Sequence, residues 1–460
     1  MKFILVILSN LLFLQATLAQ DFVPTIKTRK DTISIYIEGV KENFPHYKQD
    51  NPMLFTLAIN LPDTISIVSE ADSIAFVVNS KEKMIFDVVR NKTNDTLNCF
   101  FNIVQRQEQA SFTEEHKRTH QGKTFIEIPE VYELVNIIYA ITPTGKTNRN
   151  IVNPKSNYYN SVIDKFEKYK QNTIISTFDS LLRKGKYGHL KMDAYAFHFK
   201  NHQIEKSKVY GGFWGYYNNL EPYIESLESF AKESNFREFY QGHQSFYRRQ
   251  INTYRDSLDI HSMKGWLDKQ FPSIRYDALK IIFSPLVGGN QSSWHHESNG
   301  FNELQAHVNY PYMGSYLEKY PQNVALLIRG NIVFTEINHG YINPESDKPE
   351  NVERIKKSIK NLSNWIEKDK PATNYNTPYH CFNEYMNWGL VSLRYVDFVP
   401  HEYLPEMLAD IENMMVKNRG FIKFAEFNQF LVKLYQERKN DESLADMYPK
   451  IIDWFMNYNR

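Results

Sequence analysis

Hydrophobic and polar positions follow two different periods along this chain, and the change falls near residue 106. Thr32-Ile33-Ser34-Ile35-Tyr36-Ile37 alternates residue by residue, the pattern of a strand with one buried face. Leu54 to Leu61, Ile65 to Val68, Ile74 to Val78, Met84 to Val89 and Thr96 to Val104 are further β-prone runs. Turn-forming pairs such as Pro62-Asp63 and Asn79-Ser80, and the stretch Asn91 to Asp95, separate them. Asp-Thr-Ile or Asp-Ser-Ile triplets at Asp31, Asp63 and Asp72 read as strand starts. Together these runs predict an antiparallel β module over residues 20–106.

Beyond that point the apolar residues return at helical spacing. Glu130 to Ile138, Tyr158 to Leu182, Glu221 to Tyr240, Gln244 to Leu258 and Val352 to Ile366 each carry an apolar stripe. Phe382 to Tyr395, Leu404 to Val416, Phe421 to Tyr435 and Tyr448 to Tyr458 complete a mainly helical body over residues 107–460. Ala278 to Ser284 interrupts it with a β-like run, followed by Gly288-Gly289 and then Trp294-His295-His296-Glu297, read as a loop. The next helix is expected from near Pro321, with Gly340 closing it and Pro344 opposing continuation. The fold class is therefore α+β.

The first 19 residues have a different character. Lys2, the apolar run Phe3 to Leu14 and the small residues around Thr17-Leu18-Ala19 make a secretory signal pattern, too short to predict a membrane span. The expectation is an exported protein, whether periplasmic, extracellular or associated with the outer surface, with no transmembrane segment. Lys and Arg number 54 against 53 Asp and Glu, so no overall field draws the chain to nucleic acid. The two cysteines, Cys99 and Cys381, are too few for structural zinc; they either pair or stay as separate buried thiols. Neither a G-x-S-x-G elbow nor a phosphate-cradling glycine motif is present, which disfavours serine-hydrolase and nucleotide chemistry.

The stretch Thr335-Glu336-Ile337-Asn338-His339 carries the candidate chemistry. On a helix, positions 335 and 339 are about 400° apart in rotation and share a face. A zinc-peptidase helix reads H-E-x-x-H: the histidines bind metal, and the glutamate is general base on the metal-bound water. Here Glu336 and His339 stand in place, while Thr335 occupies the first ligand position. Taken alone, Glu-x-x-His is a weak signal and also fits an ordinary polar helix stripe. Glu384 in Cys381-Phe382-Asn383-Glu384-Tyr385 is the candidate second ligand; its bland reading is a solvated helix carboxylate. The glycine-aromatic run Tyr210 to Tyr217 fits a cleft wall or simply core packing.

The run Phe334-Thr335-Glu336-Ile337-Asn338-His339-Gly340-Tyr341-Ile342-Asn343-Pro344 resembles the metal helix of a secreted bacterial (Bacteroidetes-type) zincin-like family of unknown function. Its members read H-E-F-x-H followed by an aromatic, an aliphatic residue and Asn-Pro. Ile128 to Leu134, Phe283-Ser284-Pro285-Leu286 with Gly288-Gly289, Phe382 to Tyr385 and Arg419-Gly420-Phe421 resemble further family segments in the same order. The resemblance implies a gluzincin-type domain over Phe125 to Arg460, with His339 and Glu384 as metal ligands and Glu336 as general base. It also assigns a ligand to position 335, where this chain departs. A threonine hydroxyl is a weak zinc ligand, and losing one imidazole costs several kcal/mol of the about 10–16 kcal/mol that a complete structural zinc site supplies.

Three arrangements remain open at this stage: His295 or His296 restores a third ligand, a harder metal binds weakly through carboxylates, or the site holds no metal. The corresponding functions are a zinc-dependent metallopeptidase-like hydrolase acting on a peptide or protein, and a catalytically silent scaffold that binds a peptide, glycan or envelope protein.

Overall fold

The computed structural model describes residues 23–29, 33–37, 39–42, 54–81, 83–90, 95–214, 216–312 and 316–458. The expected leader, the start of the first predicted strand at Asp31-Thr32 and the turn at 91–94 lie outside the described residues. With about 52% helix and 21% strand in several small sheets, the class is α+β, as the sequence patterning predicts. The chain forms two compact units, residues 1–109 with 211–219, and residues 110–210 with 220–460. Among the described residues, no helix is long and apolar enough to cross a membrane.

The first unit contains β1 (Thr25–Thr28), β2 (Ser34–Ile37), β3 (Val40–Glu42), β4 (Leu54–Ile59), β5 (Asp63–Val68), β6 (Ser73–Val78), β7 (Lys83–Arg90) and β8 (Asp95–Gln105). One sheet runs β3-β2-β5-β6 and is antiparallel throughout. The other runs β1-β7-β8-β4 and departs from the antiparallel expectation, because both of its edge strands lie parallel to their neighbours. Parallel neighbours need long connections, and here intervening strands of the other sheet supply them. Alternate residues of both sheets meet in one core that includes Ile26, Ile35, Ile65, Ile67, Phe86 and Phe101. The glycine-aromatic run divides after Tyr210, and from Gly211 it belongs with this unit: Gln109 Nε2 donates to Phe213 O at 3.4 Å, and Arg106 lies 3.6 Å from the Tyr216 ring centre.

The second unit is built on β9 (Lys123–Glu127), a small hairpin of β10 (Phe197–Lys200) and β11 (Gln203–Lys206), and the strands β12 (Ala278–Ser284), β13 (Ser292–Ser298) and β14 (Phe301–Asn309). Its main sheet has the order β13-β14-β12-β9, parallel except for β13 at one edge. Trp294 to Glu297 is thus strand rather than loop. The strand was disguised because His295 and Glu297 face outward while Trp294 and His296 join a face that is itself polar.

The candidate helix also differs from expectation. It divides at Gly330 into Gln322–Arg329 and Asn331–Asp347, and it runs through both Gly340 and Pro344. Proline removes the amide that would have bonded the carbonyl of Gly340, four residues back. Tyr276 donates its hydroxyl to that carbonyl instead, so the helix continues. Gly340 serves close packing rather than capping: a Cβ there would stand 2.6 Å from both terminal methyl carbons of Leu304 on β14.

Opposite this site helix lies the helix Pro378–Phe398, started by Thr377, whose side chain accepts from the amide of His380. Every residue from Cys381 to Tyr395 is buried, as befits a central helix surrounded by others. Polar contacts clip the two helices together. Asn338 Nδ2 donates to Asn387 O at 3.3 Å, Asn383 Nδ2 to Asn343 Oδ1 at 3.2 Å, and Ser346 Oγ to Asn383 Oδ1 at 2.7 Å. Cys99 and Cys381 are both buried free thiols.

Candidate functional site

These clips set the site helix against the central helix so that His339 and Glu384 face each other. His339 Nε2 lies 3.8 Å from Glu384 Oε2. Thr335, Glu336, His339 and Glu384 all line one cavity of about 960 Å³ within the second unit. The four residues that the motif and the central helix nominated therefore do converge.

Their partners define the chemistry. Glu384 is only 2% exposed, and both of its oxygens are engaged. Arg419 reaches Oε1 at 2.7 Å, and Trp388 Nε1 donates to the same oxygen at 3.1 Å. Asn387 Nδ2 lies 3.5 Å from Oε2 and also 3.0 Å from His339 Nε2. An amide nitrogen only donates, so His339 accepts through Nε2. Glu384, Asn387 and Trp388 sit at positions i, i+3 and i+4 and share a helix face, which is why one carboxylate gathers both donors.

Arg419 enters at the end of the segment Met414–Arg419, where Gly420 turns the chain at φ +84°. A side chain at 420 would be strained there, and its Cβ would lie 2.7 Å from Lys370 Cβ. The guanidinium lies 5.3 Å from the ring centres of Trp388 and Phe421 and 5.7 Å from that of Tyr375, whose hydroxyl accepts from it at 3.2 Å. Burial works against the Arg419 charge, but Glu384 and Tyr375 outweigh it and hold the group protonated.

Thr335 is buried, and its hydroxyl donates to Ile332 O at 2.8 Å, within its own helix. Glu336 is half-buried, and burial pushes its carboxyl up to about 7. The charge of Glu384 adds to the rise, while His339, Lys191 and Arg419 oppose it. Lys191, fully buried, donates to Asn290 O at 3.0 Å, and burial lowers its amine to about 7 against the opposing pull of Glu336. Glu336 thus lines the cavity, while Lys191 stands behind its wall and holds the carbonyl of the lining residue Asn290.

Neither His295 nor His296 lines this cavity, so neither supplies the third ligand. Pairing with β14 fixes both: His295 is opposite Leu304 and exposed, and His296 is opposite Glu303 and buried on the other face of the sheet. That face carries a polar cluster centred on Glu303, which accepts from Tyr210 at 2.7 Å and Gln305 at 2.7 Å, with His116 at 3.2 Å and Lys280 at 3.6 Å. Burial alone would raise the Glu303 carboxyl, but these partners bring it down to about 2.

A hydrolytic zinc centre needs about three protein ligands and an open position for water. His339 and Glu384 are two. The hydroxyl at position 335 is committed to its helix, and one Glu384 oxygen is ion-paired to arginine. Among the described residues, no group of three or more His, Cys, Asp or Glu is arranged to hold a metal ion. The donor set does not fit zinc.

Sequence reasoning missed Arg419 as the partner of Glu384, placing it only in a family-like segment, and it gave Trp388 no role at the site. The spacing of Glu384, Asn387 and Trp388 was a usable signal for the helix part. No family model, curated protein or solved structure matches the chain.

Proposed function

We propose that this chain is an exported zincin-like pseudoenzyme, a scaffold that keeps the helix pair and cleft of a zinc peptidase and uses them for metal-independent binding. The observation that carries this reading is the 2.7 Å ion pair between Arg419 and Glu384. A guanidinium there supplies the positive charge that a metal would otherwise bring to the carboxylate. Thr335 in the first ligand position removes a second reason for a metal to stay. The signal pattern of residues 1–19 supports export.

The convergence of Glu336, His339 and Glu384 also favours a second reading, a zinc-dependent metallopeptidase-like hydrolase with Glu336 as general base. In that case Arg419 would have to leave Glu384 when metal enters.

Elemental analysis of the purified full chain, after exposure to zinc and removal of excess, separates the two. The binding-scaffold reading expects well under one equivalent. About one equivalent of tightly held zinc, as a catalytic site retains, overturns it.

A further inference from the structure

The charges that line the cavity do not balance. Glu336, Glu384 and Asp410 contribute carboxylates, against the permanent cations Lys319 and Arg419. Both cations are taken: Arg419 lies 2.7 Å from Glu384, and Lys319 lies 2.7 Å from Glu406 and 3.5 Å from Asp410. Lys191 gives its amine to Asn290 O behind the wall, and His339 turns Nε2 to Asn387 and Glu384. Among the described residues no cation therefore pairs with Glu336, whose half-buried carboxyl lines the cavity. A lone carboxylate beside a partly enclosed space repels an anionic ligand and attracts a cationic one, more strongly than it would in open water.

The walls around Glu336 decide the kind of cation. Ile332 precedes it by four residues on the helix Asn331–Asp347, so the two share a face and stand about one 5.4 Å turn apart. Ile328, Met407, Ile411 and Met414 line the same cavity. A metal ion makes no use of such apolar surface. An ammonium on a carbon chain uses both parts: its N–H groups meet a carboxylate and neutral acceptors, and its methylenes leave water against the isoleucines and methionines. Gln291, also a lining residue, gives its amide nitrogen to Gly288 O at 3.0 Å and keeps its oxygen as an acceptor. The volume of about 960 Å³ lies in the range of small-molecule clefts, about 300–1,000 Å³.

We propose that the cleft binds a primary ammonium group carried on an aliphatic chain, with Glu336 as its counter-charge, an inference that rests on the metal-independent reading of the site. The test is calorimetry of the full chain with n-hexylamine, n-hexanol and hexanoate, which share a chain length, and with ethylamine as the short-chain amine. Hexylamine is expected to bind about tenfold or more tightly than each of the other three. Glu336→Gln keeps the side chain's shape and should weaken hexylamine about ten- to hundredfold, the loss of a charge-assisted hydrogen bond. Circular dichroism checks that the variant keeps its fold. No binding of hexylamine overturns the proposal, as does equally tight binding of any of the other three probes, or an affinity for hexylamine that Glu336→Gln leaves unchanged. An N-acetylated peptide with one internal lysine, competed against hexylamine, then identifies the source: displacement assigns the ammonium to a protein side chain, and its absence assigns it to a free amine. Zinc content measured on the same sample keeps the two readings apart. Metal-free protein that binds no hexylamine refutes the ligand class alone, whereas about one retained equivalent of zinc refutes the metal-independent site.

Discussion

His339 Nε2 stands 3.8 Å from Glu384 Oε2, yet Asn387 holds the histidine and Arg419 holds the glutamate. The two residues best suited to share a metal are instead joined through an amide and neutralised by a guanidinium.

Removing Arg419 leaves a buried carboxylate without its counter-charge. Arg419→Met is expected to destabilise the chain by about 3 kcal/mol, because breaking one side of a buried pair exposes the full desolvation cost of the other. Adding Glu384→Gln should recover much of the loss. Chemical denaturation of both single variants and the double variant measures the coupling, and strictly additive effects would contradict the pairing.

Restoring the first ligand alone should achieve little. In Thr335→His the new imidazole still faces a Glu384 engaged by arginine, so zinc affinity is expected to rise only modestly. The double variant Thr335→His with Arg419→Met should gain affinity by orders of magnitude, since it frees one ligand while adding another. Zinc titration with a competing chelator distinguishes the two. Tight binding by the single variant would show that Arg419 does not guard the carboxylate.

Glu336 makes stability depend on pH in a defined direction. Its folded-state value of about 7 lies above the ordinary 4.5, so between those limits the folded protein binds more protons than the unfolded chain. The contribution is fully present below pH 4.5 and is lost as pH rises through 7. Glu336→Gln should therefore be more stable than wild type by about 1–2 kcal/mol above pH 7, with the difference vanishing below pH 4.5. Glu133, also raised to about 7 by burial, titrates in both proteins and cancels from the comparison. A pH-independent difference would show that Glu336 is ordinary.

Gly340 can be tested as a packing residue. Gly340→Ala drives a methyl to 2.6 Å from Leu304 and should destabilise by about 1–3 kcal/mol, despite alanine's better helix propensity. Leu304→Val in the same chain should relieve part of the loss. Thermal melts of wild type and the two variants provide the measurement, and a stabilising Gly340→Ala would refute the contact.

Much of this architecture was legible in the order of the residues. The shift of period near residue 106 separated strand-rich from helix-rich sequence, and helical spacing alone set Glu336 and His339 near one face. Chain ends and breaks were less visible, because tertiary contacts decide them. The Tyr276 hydroxyl, distant in sequence, takes the Gly340 carbonyl that Pro344 leaves without its helical partner. The strand at Trp294 was hidden because its inward face meets the polar cluster of Glu303 rather than an apolar core. Arg419 could not be paired with Glu384 by spacing, since the helix Leu404–Asn413 and the segment Met414–Arg419 intervene and bring it back. The parallel edges of the first unit were equally hidden, because alternation reveals a strand's faces but not its neighbours.

The most direct test is a crystal structure from crystals soaked in zinc, with anomalous data at the zinc edge. The account predicts Arg419 seated on Glu384 and no anomalous peak at a ligand distance of about 2.0–2.2 Å from His339 Nε2 and Glu384. A strong peak between those two side chains, with the guanidinium displaced, would contradict it.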